Sequence, residues 1–186
     1  GKVPLTIHGE ETVRNFLVWL RDRAFPTQRI WLTGSNNRPA TELELNRVAE
    51  FKKLVTPEQY WNGTFVRPNR GSVSTVFGVR RYYNGNFAED YYHKGVDYAA
   101  GTGSPVVAPA NGTVALVGKE SEGFHVHGNT IGIDHGQGVL SIFLHLNDIK
   151  VQEGDTVTAG QKIGTVGSTG AKIGRASCRE RVYTKV

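Results

Sequence analysis

Short alternations of apolar and polar residues, rather than long amphipathic periods, run through most of this chain. Near its start Val3, Leu5 and Ile7 share one strand face, HGE reads as a turn, and Phe16, Val18 and Leu20 share the face of a second strand. QRIWL (28–32) reads as a third, so residues 1–33 are expected to be part of a small β-sandwich whose edges lack partners. The turn-rich GSNNRPA (34–40) follows. Thr41 and Glu44 then spell a capping box ahead of Leu45, Val48, Phe51 and Val55 on one helical face. Pro57 ends that helix, and Thr56 with Gln59 caps a short second one through Trp61. Residues 34–61 are therefore read as a helical linker that packs as a strut.

From residue 62 the pattern is β-rich. Ser72 to Arg81 alternates, Asn84-Gly85 is a two-residue turn signal, and glycines recur every few residues. VVAPANGTVALVG and DTVTAGQKIGTVG resemble one another, each a strand, a glycine turn and a strand. The predicted fold is mostly β, with a duplicated antiparallel sheet or open barrel whose related halves leave a groove.

One stretch of that region carries chemistry. His93 and Asp97 are spaced H-x-G-x-D, and in a strand both point to the same face. Four extended steps cover ~13 Å, whereas two side chains sharing a metal need Cα atoms within ~10 Å, so the segment must bend, with Gly95 at its middle. His145, in SIFLHL, falls on a face with Ser141 and Phe143, opposite Ile142, Leu144 and Leu146. By its residues alone it fits a buried hydrogen-bonded histidine as well as a catalytic one. His135, in IDHGQG, is placed to hold a hairpin turn, and His125 with His127 in a loop at the groove rim.

Residues 69–171 resemble the lysostaphin-type, LytM-like zinc metallopeptidases that cut peptidoglycan cross-bridges. Four blocks carry the resemblance: FGVRRYYNG (77–85), HKGVDYAAGTGSPVVAPANGTV (93–114), HGNTIGIDHGQGVLSIFLHL (127–146) and VQEGDTVTAGQKIGTVGSTG (151–170). The resemblance implies a peptidase domain over 62–171 and an immunoglobulin-like identity for the fragment 1–33. It also implies Zn2+ on His93 and Asp97, His145 as the residue handling proton and charge, and peptidoglycan peptides as substrate. A periplasmic or extracellular, cell-wall location follows from the same likeness. In this family an STGA-like sequence runs into a proline and an H-x-H pair that completes the zinc site.

Here that pair is replaced by KIGRASCRERVYTKV. Ile173 through Val182 match translated sequencing adapter residue for residue, so 172–186 is set aside as non-native and expected to have no packed place. Methionine is absent and the chain begins mid-strand, which reads as a missing start; with the break in the pattern after Ala171 the chain is read as truncated at both ends. The tail holds five basic residues and one acid; without it the formal charge falls from +5 to +1. The basic pI near 9.4 is then no nucleic-acid footprint. Cys178, the only cysteine, also lies in the tail, which excludes disulfides and thiolate metal sites in the body. No apolar run approaches the ~20 residues of a membrane span.

With two of three zinc ligands, this chain is expected to be an impaired hydrolase. The alternative is a non-catalytic module that binds cell wall or activates another hydrolase. A biotinyl or lipoyl carrier, suggested by the same duplicated β pattern, lacks its hairpin lysine: that position reads Ala110-Asn111-Gly112.

Overall fold

The computed structural model describes residues 1–31, 38–171 and, for the backbone, 177–184. In chain order the strands are β1 (Lys2–His8), β2 (Val13–Trp19) and β3 (Thr27–Ile30), then helix α1 (Glu42–Phe51). There follow β4 (Ser72–Thr75), β5 (Arg80–Tyr83), β6 (Asn86–Tyr92), β7 (Val96–Ala99), β8 (Pro105–Val107) and β9 (Gly112–Gly118). The last are β10 (Asn129–Asp134), β11 (Val139–Ile149), β12 (Thr156–Val157), β13 (Lys162–Val166) and β14 (Ser177–Thr184).

A nine-stranded sheet organises the molecule in the order β12-β9-β10-β11-β14-β7-β4, with β13 bridging β11 to β8. The duplicated segments interlock: β12 of the second repeat pairs β9 of the first, and β13 pairs β8. Val106, Val114, Ile131, Ile133, Phe143 and Ile163 pack inside the curl of this sheet. On its other face Val48 and Phe51 of α1 lie against Leu116, Phe124, Leu140, Ile142 and Leu144. Full burial of each such side chain stabilises by about 1.5–3 kcal/mol, so α1 is fastened to the sheet. Gly132 leaves the space for it, since a Cβ there would come within 2.7 Å of the Phe51 ring.

Several expectations are corrected. QRIWL does not join the β1–β2 hairpin: β3 runs parallel to β5 and forms a three-stranded sheet with β5 and β6. The hairpin is left as two strands exposed on both faces, with Trp19 at 70% exposure. Two strands alone cannot bury a face, and β3 gains a ladder partner by leaving them. The buried stripe of α1 is Glu44, Val48 and Phe51, while Leu45 and Val55 are exposed. Thr41 does cap α1, its Oγ1 accepting from Glu44 N at 3.1 Å, but the Glu44 side chain turns to a distant loop instead of closing the box. Residues 56–61 form no helix, because Thr56 Oγ1 donates to Asp134 and Gln59 bridges Gly136.

The tail also departs from expectation. β14 lies between β11 and β7, with ladders to both. Main-chain ladders do not require a particular side chain, and two neighbouring edges with unpaired N–H and C=O groups accept any extended segment between them. The turn-rich 34–40 lies largely outside the described residues, as do the 33/34 boundary and residues 172–176 and 185–186. Asn84 and Gly85 form the β5–β6 turn as predicted, with φ of 48° and 87°.

Candidate metal centre

His93 follows the end of β6 and is pinned by main-chain bonds to the segment before β5. Its N–H donates to Val79 O at 2.8 Å, and its carbonyl accepts from Gly78 N at 2.8 Å. Gly78 has φ +88°, and a Cβ there would strike the Phe25 ring at 2.2 Å, so only glycine fits this approach. The chain breaks strand geometry over His93–Gly95, with the bend at Gly95, and re-enters a strand at Val96. Asp97 is then held between β4, at Thr75, and β14, at Arg179.

The required bend brings His93 Nε2 and Asp97 Oδ1 to 3.3 Å. His93 is fully buried and Asp97 is 5% exposed. Zinc donors at about 2.0–2.2 Å on two corners of a tetrahedron lie about 3.3–3.6 Å apart, so this pair has the spacing and donor types of two zinc ligands. Behind Asp97 the buried Arg81 places Nη2 3.7 Å from Oδ2, and its Nε donates to Gln28 Oε1 at 3.1 Å. Arg81 offsets the buried carboxylate's charge, a role its position in the sequence did not reveal. Among the described residues, no group of three or more His, Cys, Asp or Glu is arranged to hold a metal.

His145 sits where β11 is distorted. Its φ is +61°, an uncommon conformation for a residue with a Cβ. The β10–β11 register slips between Asn129↔Leu146 and Ile131↔Phe143, so β11 carries one extra residue there. The expected alternation fails at that point: Leu146 packs with Phe143, not with Ile142 and Leu144. His145 N donates to His127 O at 2.9 Å and its Nδ1 to Thr169 O at 2.8 Å. A carbonyl acceptor puts the neutral ring's proton on Nδ1 and its lone pair on Nε2. Leu144 and Asp97 both register with Arg179 of β14. Two strand spacings therefore separate the His145 neighbourhood from Asp97, about 10 Å.

At Gly78, whose N–H binds the His93 carbonyl, opens a cleft of about 280 Å³ lined by Phe25, Phe77, Tyr91 and Tyr92 together with the charged Arg80 and Glu89. The other predicted histidines have structural partners. His135 Nδ1 donates to Asn111 O at 2.7 Å and its Nε2 accepts from Ser141 Oγ at 2.9 Å, which ties the β10–β11 turn to the β8–β9 turn. Burial pushes the His135 pKa below its ordinary value, against the Asn111 hydrogen bond and the Asp134 charge. His127 meets Glu44, whose fully buried carboxylate accepts from Val126 N, His127 N and His127 Nδ1. Burial would raise the Glu44 pKa, but the hydrogen bonds from His127 and Val126 together hold it below the usual carboxylate range. Nothing in the sequence pointed to Glu44 beyond its place in the capping box.

Comparison with known proteins completes the picture. Peptidase family M23 matches residues 91–182, from the aromatic cleft through most of β14. The murein hydrolase activator NlpD of Escherichia coli is 35% identical over 120 residues, which is 64% of this chain and 27% of that protein. A putative peptidase M23 from Pseudomonas aeruginosa superposes with a TM-score of 0.67 at 25% identity, covering 98% of this chain and 68% of the other. A zinc-containing peptidase from Vibrio cholerae gives a TM-score of 0.57 at 28% identity, over 66% of this chain and 37% of that one. The chain spans between 17% and 39% of the length of the curated relatives it matches. The family match and the likeness to these structures agree: the chain belongs to peptidase family M23.

Proposed function

We propose that this domain derives from a zinc metalloendopeptidase acting on the peptide bridges of peptidoglycan at the cell envelope. The observation that carries the reading is the buried His93–Asp97 pair, 3.3 Å apart on a bend that main-chain bonds hold in place. A zinc ion bound there would acidify water and polarise the scissile carbonyl. The protein's own part is to keep both donors oriented, with Arg81 against Asp97. His145 Nε2 accepts a proton from the attacking water and returns it to the leaving amine, while Nδ1–H stays on the Thr169 carbonyl. The cleft lined by Phe25, Phe77, Tyr91 and Tyr92, with Arg80 and Glu89 in its wall, receives part of an extended peptide.

A second reading, a hydrolase-activating or wall-binding module without its own chemistry, is favoured by one feature. Among the described residues, no third His, Cys, Asp or Glu joins His93 and Asp97 as a metal ligand, and a catalytic zinc needs three. The likeness to an activator accords with it. Zinc stoichiometry and dye release from labelled peptidoglycan separate the two. They should be measured for the present chain and for one whose residues after Ala171 are replaced by a family-like proline and H-x-H segment. Tight zinc binding and hydrolysis in the restored chain, lost with His93→Ala or His145→Ala, support the peptidase. Wall binding without zinc or hydrolysis in both supports the activator.

A further inference from the structure

A chain of contacts leads from α1, outside the segment that matches the family, to the strained residue of β11. The carboxylate of Glu44, fully buried, gathers Val126 N at 3.1 Å and both His127 N and His127 Nδ1 at 2.6 Å. The next atoms along that loop hold the site. His127 O accepts the N–H of His145 at 2.9 Å, and Val126 O accepts from Ala171 N at 3.1 Å. Gly128 is pressed against the Thr169 main chain, where a Cβ would meet the carbonyl at 2.5 Å. Asn129 N donates to Thr169 Oγ1 at 2.9 Å, and Thr169 O accepts from His145 Nδ1. Both carbonyls that orient His145, one on its main chain and one on its ring, thus belong to a pair of loops that Glu44 anchors.

We propose that Glu44 is a positioning residue for His145, acting through the 126–129 loop to hold its left-handed backbone and ring orientation. The physical case rests on what else could hold that loop. The N–H groups of Val126 and His127 converge on one acceptor, and a buried N–H without a partner costs a large part of a hydrogen bond. Removing the carboxylate takes the acceptor from both main-chain donors and from His127 Nδ1 together, so the loop shifts toward other partners and carries the His127 carbonyl with it. His145 has little reason to keep φ +61° once its main-chain partner moves, because that conformation persists only where surroundings over-determine it. The functional meaning of the inference rests on the peptidase reading of His145; the mechanical coupling does not.

The test needs neither metal nor substrate, so its failure is distinguishable from failure of the peptidase reading. Amide hydrogen exchange and imidazole 15N shifts are measured by NMR on the full chain, for wild type, Glu44→Ala, Glu44→Gln and Thr41→Ala. Thr41→Ala is the control for a loosened helix, since it removes the α1 cap and the Thr41 Oγ1 bond to Gly123 O but touches neither Val126 nor His127. Glu44→Ala is expected to speed exchange at the His145 amide at least tenfold and to shift its Nδ1 resonance, with Leu116 and Ile131 amides changed no more than in Thr41→Ala. Glu44→Gln, which keeps an acceptor for the main-chain donors, should restore most of the His145 protection while still altering the His127 ring. If Glu44→Ala fails to fold, Thr41→Ala and Glu44→Gln decide: a His127 ring shift accompanied by a smaller shift at His145, absent in Thr41→Ala, supports the coupling. A His145 signal that changes equally in the Thr41 and Glu44 variants, or in none, overturns it.

Discussion

Among the described residues two histidine–carboxylate pairs lie in the interior, His93–Asp97 buried at both members and Glu44–His127 with its histidine half-buried, and they differ in geometry. Glu44 and His127 stand 2.6 Å apart, within hydrogen-bond length, and the carboxylate also receives two main-chain N–H groups. Its lone pairs are committed, and the pair acts as a clamp between elements more than eighty residues apart in sequence. His93 and Asp97 come from one turn of chain and stand 3.3 Å apart, a poor hydrogen bond but a suitable spacing for two ligands of a tetrahedral ion. Burial and residue type alone do not tell these two pairs apart. The inter-atomic distance and the number of competing donors do.

The largest effect expected from breaking this contrast is on metal binding. In the chain restored with a family-like H-x-H segment, His93→Ala should weaken zinc binding by about 100-fold or more, since two protein ligands cannot hold a catalytic ion tightly. His127→Ala should leave zinc affinity within about threefold, because that ring serves the clamp. Competition with a chromogenic chelator measures both, and equal losses would erase the distinction between the two pairs.

Stability should show the opposite ranking. Glu44→Ala removes one partner of a buried pair and strands two N–H groups, a loss of about 3 kcal/mol, whereas Glu44→Gln keeps an acceptor and should cost about half that. Urea unfolding gives the numbers, and a Glu44→Ala midpoint equal to wild type would remove the clamp from the account.

Acid should act on the clamp and on the structural His135 in the same direction. Both have folded-state pKa values below their ordinary ones. An unfolded chain then binds more protons than the fold, so stability falls as pH falls. For His135 the loss begins below its ordinary 6.5 and continues until the folded form accepts the proton. For Glu44 the contribution is present above 4.5 and disappears as pH passes through the lower folded value. His135→Gln should abolish the upper part of this decline. Stability that is flat from pH 7 to pH 5 in the wild type would contradict it.

The smallest expected change is at His125, which with His127 spells an H-x-H but lies on the loop beside the clamp. His125→Ala should alter zinc affinity less than about twofold and stability by less than about 0.5 kcal/mol. A larger loss of zinc would make this pair a metal site after all.

Where the physics is local, the sequence alone determined the outcome. The H-x-G-x-D spacing required a bend, and the chain bends at Gly95. Asn84-Gly85 required the left-handed turn that joins β5 and β6. Two similar strand–turn–strand segments implied a duplicated sheet, and β8–β9 and β12–β13 pair across the repeat. Each of these depends on a few adjacent residues whose backbone preferences or face periodicity leave little choice.

Only the tertiary structure decided the rest, because it turned on which groups from distant segments found one another. Alternation across SIFLHL cannot announce an extra residue, since the bulge at His145 is set by the carbonyls of His127 and Thr169. Glu44 looked like a cap partner until a loop 82 residues away supplied three donors for its carboxylate. The segment 27–30 reads as a strand and 177–184 does not, yet which sheet each enters depends on where unpaired edges stand: β3 beside β5, and β14 between β7 and β11. A ladder is made by main-chain groups common to every residue, so side-chain pattern can mark a strand without naming its neighbour.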